Sequence, residues 1–191
     1  MNFVMTRIKY ICRLGYGDSL PKDDESDGNV PVFGSNGQYA TTARPNTEVP
    51  AIVIGRKGSY GKVNWAPDGC FASDTTFFVD SRFTAVNLRW LYWALQTLNL
   101  DEGSQEAAVP GLNRESVYEQ RLPLPSADDQ QLIADYLDQE VARIDSTLDL
   151  VGSRSATGIK EGSLLALLFE RRTALIAAAV TGQIPLREIT G

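Results

Sequence analysis

Apolar residues along the second half of the chain recur by fours and threes. Leu137, Val141, Ile144, Leu148 and Val151, followed by Leu165, Phe169, Ile176 and Ala179, make a seam of coiled-coil width, narrower than the stripe of a helix lying on a globular core. Both ends of this pattern are marked. Leu122-Pro123-Leu124-Pro125 cannot continue a helix, and Ser126 can cap a first turn that places Asp128 and Asp129 at the positive end of the helix dipole. At the far end Gly182 can take a left-handed cap, and Pro185 forbids continuation. Seam positions continued from Val151 fall on Ser155, Gly158 and Gly162, with Gly152 just before them. An interior Gly costs about 1 kcal/mol relative to Ala. Two arrangements fit: one helix of roughly 80 Å at ~1.5 Å per residue, or two helices with a local break between 152 and 162. The glycines favour the break. A continuous helix would project beyond a domain with a radius of gyration near ~14 Å, and its apolar seam would need a partner.

The first half carries strand patterns instead. Ile8, Tyr10 and Cys12 alternate, Val30 to Phe33 is short and β-forming, and Ala51 to Gly55 is an unbroken aliphatic run of the kind buried on both faces. Gln38 to Thr42, Val63 to Trp65, Cys70 to Ser73, Thr75 to Val79 and Val117 to Leu124 complete the strands. Gly-, Pro- and Asp-rich segments separate them: a surface loop from Tyr16 to Asn29, a tight turn at Gly34-Ser35-Asn36-Gly37, and a glycine-punctuated hairpin from Arg56 to Lys62. Asn87 to Leu98 is helical, with Leu88, Leu91, Leu95 and Leu98 on one face. The fold class is α+β. A mixed, β-rich globular domain over 1–124 precedes a long projecting coiled-coil helix over 125–182, with a tail at 183–191.

Composition narrows the chemistry. No run of 18 apolar residues and no charged-then-apolar leader is present, so neither a membrane span nor a signal peptide is expected. Cys12 and Cys70 have no metal spacing and His is absent, which leaves no zinc site of the usual kinds, no metal and two reduced thiols in a cytoplasmic protein. Lacking His also removes Ser-His and Cys-His catalysis. A carboxylate enzyme remains conceivable, but Asp68 and Asp74 are isolated from each other and read as a solvated turn and a strand entry. The net charge of −6 speaks against a simple nucleic-acid binder. Between Pro31 and Ala66, however, Arg44, Arg56, Lys57 and Lys62 face Glu48 alone, a local basic patch suited to DNA when a partner supplies most phosphate contacts.

Three segments are candidates for that contact. Arg56, Lys57, Ser59, Tyr60 and Lys62 sit in a Gly-rich hairpin that lacks the following helix of a nucleotide P-loop. Either it is a bare basic tip, or Arg56 and Lys57 meet phosphate or guanine edges while Tyr60 packs on sugar or base. Asn36 and Gln38 place amides on a turn, as an adenine reader or merely as turn residues. Asn113 and Arg114 carry the same ambiguity, since Asn113 can simply cap a turn.

In order, VPVFGSNG (30–37), VIGRKGSYGKV (53–63), FASDTTFFV (71–79), LRWLYWAL (88–95), VPGLNRESVYEQRLPLP (109–125), QQLIADYLDQEVARID (130–145) and ERRTALIAAAVTGQI (170–184) closely resemble the specificity (S) subunit of type I restriction-modification systems. The resemblance covers nearly the full chain. It implies a target-recognition domain followed by a spacer helix, no catalytic activity and no cofactor in this subunit, and double-stranded DNA, methyltransferase (M) subunits and restriction (R) subunits as partners. Family members carry two such units, whereas this chain has one, so it resembles a half-size form. The seam of Leu137, Val141, Ile144, Leu148, Val151, Leu165, Phe169 and Ile176 is then expected to pair with a second copy, and symmetry predicts a palindromic split target. A rival from another class is a coiled-coil interaction protein that does not bind DNA.

Overall fold

The structure, a computed structural model, describes residues 3–21, 28–100, 111–154, 161–185 and 189. The chain falls into two compact units, Met5–Leu122 and a second made of Met1–Val4 with Pro123–Gly191.

The globular unit is built on β5 (Ala51–Gly55), every residue of which is buried. β5 pairs antiparallel with β6 (Val63–Ala66) on one side and β8 (Thr76–Val79) on the other, and β8 pairs in turn with β2 (Gly15–Tyr16). Its aliphatic run is continuous because both faces are covered. Ala51 and Val53 pack with Ala66, Cys70 and Phe33, while the alternation of a strand sends Ile52 and Ile54 to the other face. Helix α1 (Leu88–Leu95) packs on β5 and β6. A second sheet orders β4 (Gly37–Thr42), β3 (Val30–Gly34) and β7 (Phe71–Ala72), with β3–β4 antiparallel and β3–β7 parallel.

Four local expectations change. The alternation at Ile8, Tyr10 and Cys12 is not a strand. β1 (Val4–Arg7) comes earlier, and Ile8–Tyr10 is a 3-10 turn whose Ile8 carbonyl accepts from the Cys12 amide at 2.9 Å. Ile8, Ile11 and Cys12 are buried and Tyr10 is exposed, so the spacing that matters there is helical. Tyr16 belongs to strand β2 rather than to a loop, and residues 22–27 of the expected loop lie outside the described residues. The expected strand from Val117 is shorter. α2 (Arg114–Glu119) occupies its first part and β9 (Arg121–Leu124) its second, because the Asn113 side chain accepts from the amides of Glu115 and Ser116 and starts a helix. Helix α1 also stops three residues short of Leu98. The Thr97 hydroxyl and amide both turn back to the Ala94 carbonyl, at 2.7 and 3.1 Å.

In the second unit the seam forms two helices, α3 (Ala127–Arg154) and α4 (Glu161–Val180), and residues 155–160 of the interval where a break is expected lie outside the described residues. The two helices pack on each other, and Arg172 donates from Nε to Asp145 at 3.0 Å. Six residues separate the helices. At most ~3.6 Å per residue, they cannot return the chain along α3, so α4 runs antiparallel to it. Both caps are as expected. Ser126 Oγ accepts from the Asp129 amide at 3.2 Å. Gly182 has φ +73°, its amide donates to Ala179 and that of Gln183 to Ala178, a Schellman arrangement. Of the seam, Leu137, Val141, Ile144 and Ile176 are buried, Leu148, Val151 and Leu165 are half-buried, and Phe169 is exposed.

One polar group in the globular core links β8 to the loop before β5. The Asp80 side chain is fully buried and accepts from Arg82 Nε, Nη2 and amide and from the Glu48 amide. Burial alone would raise its pKa. The hydrogen bonds from the Arg82 side chain, the Glu48 and Arg82 amides and the Arg82 charge outweigh it and hold the carboxyl below its ordinary value. A carboxyl depressed in the folded state contributes stability above its unfolded pKa of about 3.9, and that contribution is lost as pH falls from there through the folded value. Asp80→Asn is therefore expected to lower unfolding stability by about 2 kcal/mol at pH 7. In urea titrations the deficit should shrink below about pH 4, and an equal deficit at pH 7 and pH 3 would show that the charge is not its source.

Candidate nucleic-acid interface

The β5–β6 hairpin is closed by its own backbone. The Gly55 amide donates to Lys62 and the Gly61 amide to Gly55, both at 2.9 Å, and Gly58 and Gly61 take φ +71° and +86°. Lys57, Gly58 and Ser59 stand exposed at the tip. The base of the hairpin approaches the β3–β4 turn so closely that a Cβ on Gly55 would meet the Ser35 carbonyl at 2.6 Å and that of Ser59 at 2.8 Å.

Arg56 is a structural fixture as much as a surface cation. Its amide donates to Thr75 at 2.9 Å, its carbonyl accepts from Leu112 at 2.8 Å, and Nη2 donates to the Asp74 carbonyl at 2.7 Å. The guanidinium lies 5.2 Å from the Tyr16 ring and 5.5 Å from that of Phe77, and its buried Nε makes no hydrogen bond. Arg114 lies 5.0 Å from the same Tyr16 ring and is ion-paired with Glu115. Two guanidinium groups thus share one half-exposed tyrosine at the rim of a cleft of about 360 Å³ that Asn113 and Leu112 also line.

On the other side of the hairpin, Ser35 Oγ donates to the Thr75 carbonyl at 2.6 Å and accepts from the Lys57 amide at 3.3 Å. Lys62 Nζ donates to the Asn36 carbonyl at 2.8 Å, and Lys57 Nζ pairs with Asp74 at 3.3 Å. A second cleft of about 410 Å³ opens here, lined by residues 34–39 and 73–75.

The model for the type I restriction modification DNA specificity domain matches residues 2–149. The chain belongs to that family. It is 28% identical over 141 residues to the type I restriction enzyme EcoprrI specificity subunit of Escherichia coli, covering 69% of this chain and 34% of that protein. The EcoBI specificity subunit of Escherichia coli is 24% identical over 135 residues, covering 70% and 26%. Among solved structures, the type I restriction-modification S subunit from M. genitalium superposes with a TM-score of 0.65 at 18% identity, over 80% of this chain and 43% of that one. The HsdS subunit from Thermoanaerobacter tengcongensis gives 0.56 at 18% identity over 96% and 46%. These structural likenesses share the fold, and the chain spans about a third or less of the curated relatives it matches.

Within this specificity domain the three nominated segments, far apart in sequence, meet at one end of the globular unit. Contacts of Lys62 with Asn36 and of Lys57 with Ser35 join the turn to the hairpin, and Leu112 bonded to Arg56 brings in Asn113 and Arg114. Asn36, Gln38, Lys57, Ser59, Lys62 and Asn113 are exposed there, and Arg56, Tyr60 and Arg114 are half-buried. Asn113 is occupied as the cap of α2, the plainer of its two expected roles. Asp68 and Asp74 lie on separate turns, and Asp74 is a partner of Lys57. Sequence reasoning missed Tyr16, Ser35 and Asp74. Tyr16 sits between two glycines in a stretch that reads as loop, and the roles of Ser35 and Asp74 come from partners 22 and 17 residues away. The two thiols take no part: burial pushes Cys12 up to about 12 and Cys70 up to about 11, the latter against the Thr47 hydroxyl, which favours the thiolate.

Because the approach at Gly55 leaves no room for a methyl group, Gly55→Ala should destabilise the domain by about 1–3 kcal/mol. At the tip, a Cβ on Gly58 meets nothing within 4 Å. Gly58→Ala there should cost only about 1 kcal/mol, from its positive φ. Thermal unfolding of the two variants checks the order.

Proposed function

We propose that this chain recognises DNA for a type I restriction-modification methyltransferase complex. It reads one half of a split target and is itself non-catalytic, with methyl transfer in M subunits and cleavage in R subunits. The observation that carries this is the convergence of residues 35–38, 56–62 and 111–114 on one exposed, hydrogen-bonding face in a chain of the DNA specificity family. The cations of that face suit a double-stranded DNA backbone although the protein is acidic overall, provided partner subunits supply further phosphate contacts.

The helical pair serves as the assembly element and joins a second copy of the chain. Supporting this, Leu150, Leu164, Leu167 and Phe169 are 63%, 44%, 60% and 57% exposed on α3 and α4. Apolar side chains clustered along helices mark association surfaces. A two-fold dimer presents two identical readers and calls for a palindromic target. In the rival interaction-protein reading the globular unit binds protein instead of DNA; membership of the DNA specificity family favours DNA.

Co-expression with a type I methyltransferase subunit, followed by mapping of modified bases in host DNA, is expected to reveal a split palindromic motif bearing methyladenine. Soluble, associated subunits that leave no motif would favour the interaction-protein reading. Sedimentation equilibrium is expected to give the mass of a dimer for the chain and of a monomer for the double variant Leu167→Glu, Phe169→Glu; an unchanged mass would place the dimer contact elsewhere.

A further inference from the structure

The β3–β4 hairpin holds an irregularity next to the second cleft. Val32 pairs with Ala40 and Phe33 with Gln38, so Tyr39 is an extra residue without a partner on β3. Regular alternation would turn one of two neighbouring side chains outward and the other inward. The bulge puts Gln38 and Tyr39 both outward, and Tyr39 is 59% exposed. Bulges of this kind re-aim side chains at functional edges. The Tyr39 ring is also seated. A Cβ on Gly34 would lie 3.2 Å from two of its atoms, so the glycine lets the ring lie against the backbone.

The segment is held from several sides. Ser35 is bonded to Thr75 and Lys57, Lys62 holds the Asn36 carbonyl, and the Gly55 backbone abuts Ser35. Two neighbouring cations are engaged within the protein, Arg56 on the Asp74 carbonyl and Lys62 on Asn36, while the Lys57 ammonium, paired with Asp74, stays half exposed at the hairpin tip. Among the described contacts, neither the Gln38 amide nor the Tyr39 hydroxyl has a hydrogen-bond partner. The cleft beside them contains the half-exposed Asp74 carboxylate. That carboxylate would repel a phosphate, but it can accept from the exocyclic amine of a base. The chemistry of this cleft is therefore that of a base edge.

We propose that Gln38 and Tyr39 are the specificity-determining pair of this domain. The Gln38 amide engages the N6 and N7 edge of an adenine in the major groove, and the Tyr39 ring packs on the adjoining base. Lys57, at the hairpin tip, contacts phosphate without regard to sequence. This rests on the DNA-recognition reading above.

The test uses the chain assembled with its methyltransferase subunits. Duplexes carrying the motif found by methylation mapping and a scrambled sequence are titrated at two salt concentrations. Gln38→Ala and Tyr39→Ala are each expected to lower affinity for the motif about 10- to 100-fold, leaving scrambled-duplex binding and the salt slope unchanged. Lys57→Ala should weaken both duplexes alike and flatten the salt slope. Both reader positions are exposed, so unchanged thermal midpoints confirm intact folding. If Gln38→Ala and Tyr39→Ala weaken both duplexes equally, or leave motif preference intact, the pair does not read bases and the proposal fails while the DNA-recognition reading stands. A wild-type complex with no preference for any sequence overturns both.

Discussion

The close approach of the β5 backbone to the β3–β4 turn at Gly55 governs how the exposed end of the globular unit is built. β5 leaves a core in which all its residues are buried and passes directly into a hairpin whose tip is in solvent. Because no side chain intervenes at Gly55, the hairpin and the turn meet backbone to backbone. The hydrogen bonds of Ser35, Lys57 and Lys62 then tie their loops together. The rigidity of the sheet is handed on to loops that would otherwise have none, as a binding surface on loops requires.

The same arrangement explains why so few of the cations are idle. Arg56 and Arg114 share the Tyr16 ring, and Lys57 has an acidic partner in Asp74. Such half-exposed pairs add little to stability in water. Their effect is positional: long, flexible side chains are held in place before any partner arrives, which lowers the entropy lost on binding.

Elements with strong periodicity or an unbroken apolar run were legible in the amino-acid sequence. β5, the start of the helix near Asn87, the Ser126 cap and the Gly182 stop were all readable from local residues. The misreadings had short-range causes. At Ile8 to Cys12 too few residues separate a period of two from a period of three or four, and at Asn113 one capping side chain turned an expected strand into a helix. Residues 36, 38, 56, 57 and 114 could be nominated because amides and cations near glycines are conspicuous. Tyr16, Ser35 and Asp74 could not, since what they do depends on partners supplied by the fold.

The turning back of α4 along α3, pinned by Arg172 on Asp145, has a mechanical consequence. An antiparallel pair with both outer ends capped can be lengthened only by adding the same number of turns to each arm, about 5.4 Å of reach per turn. Residues inserted in one arm alone would slide every apolar side chain beyond them past its neighbour and part Arg172 from Asp145. The reach of this element is thus quantised in matched helical turns.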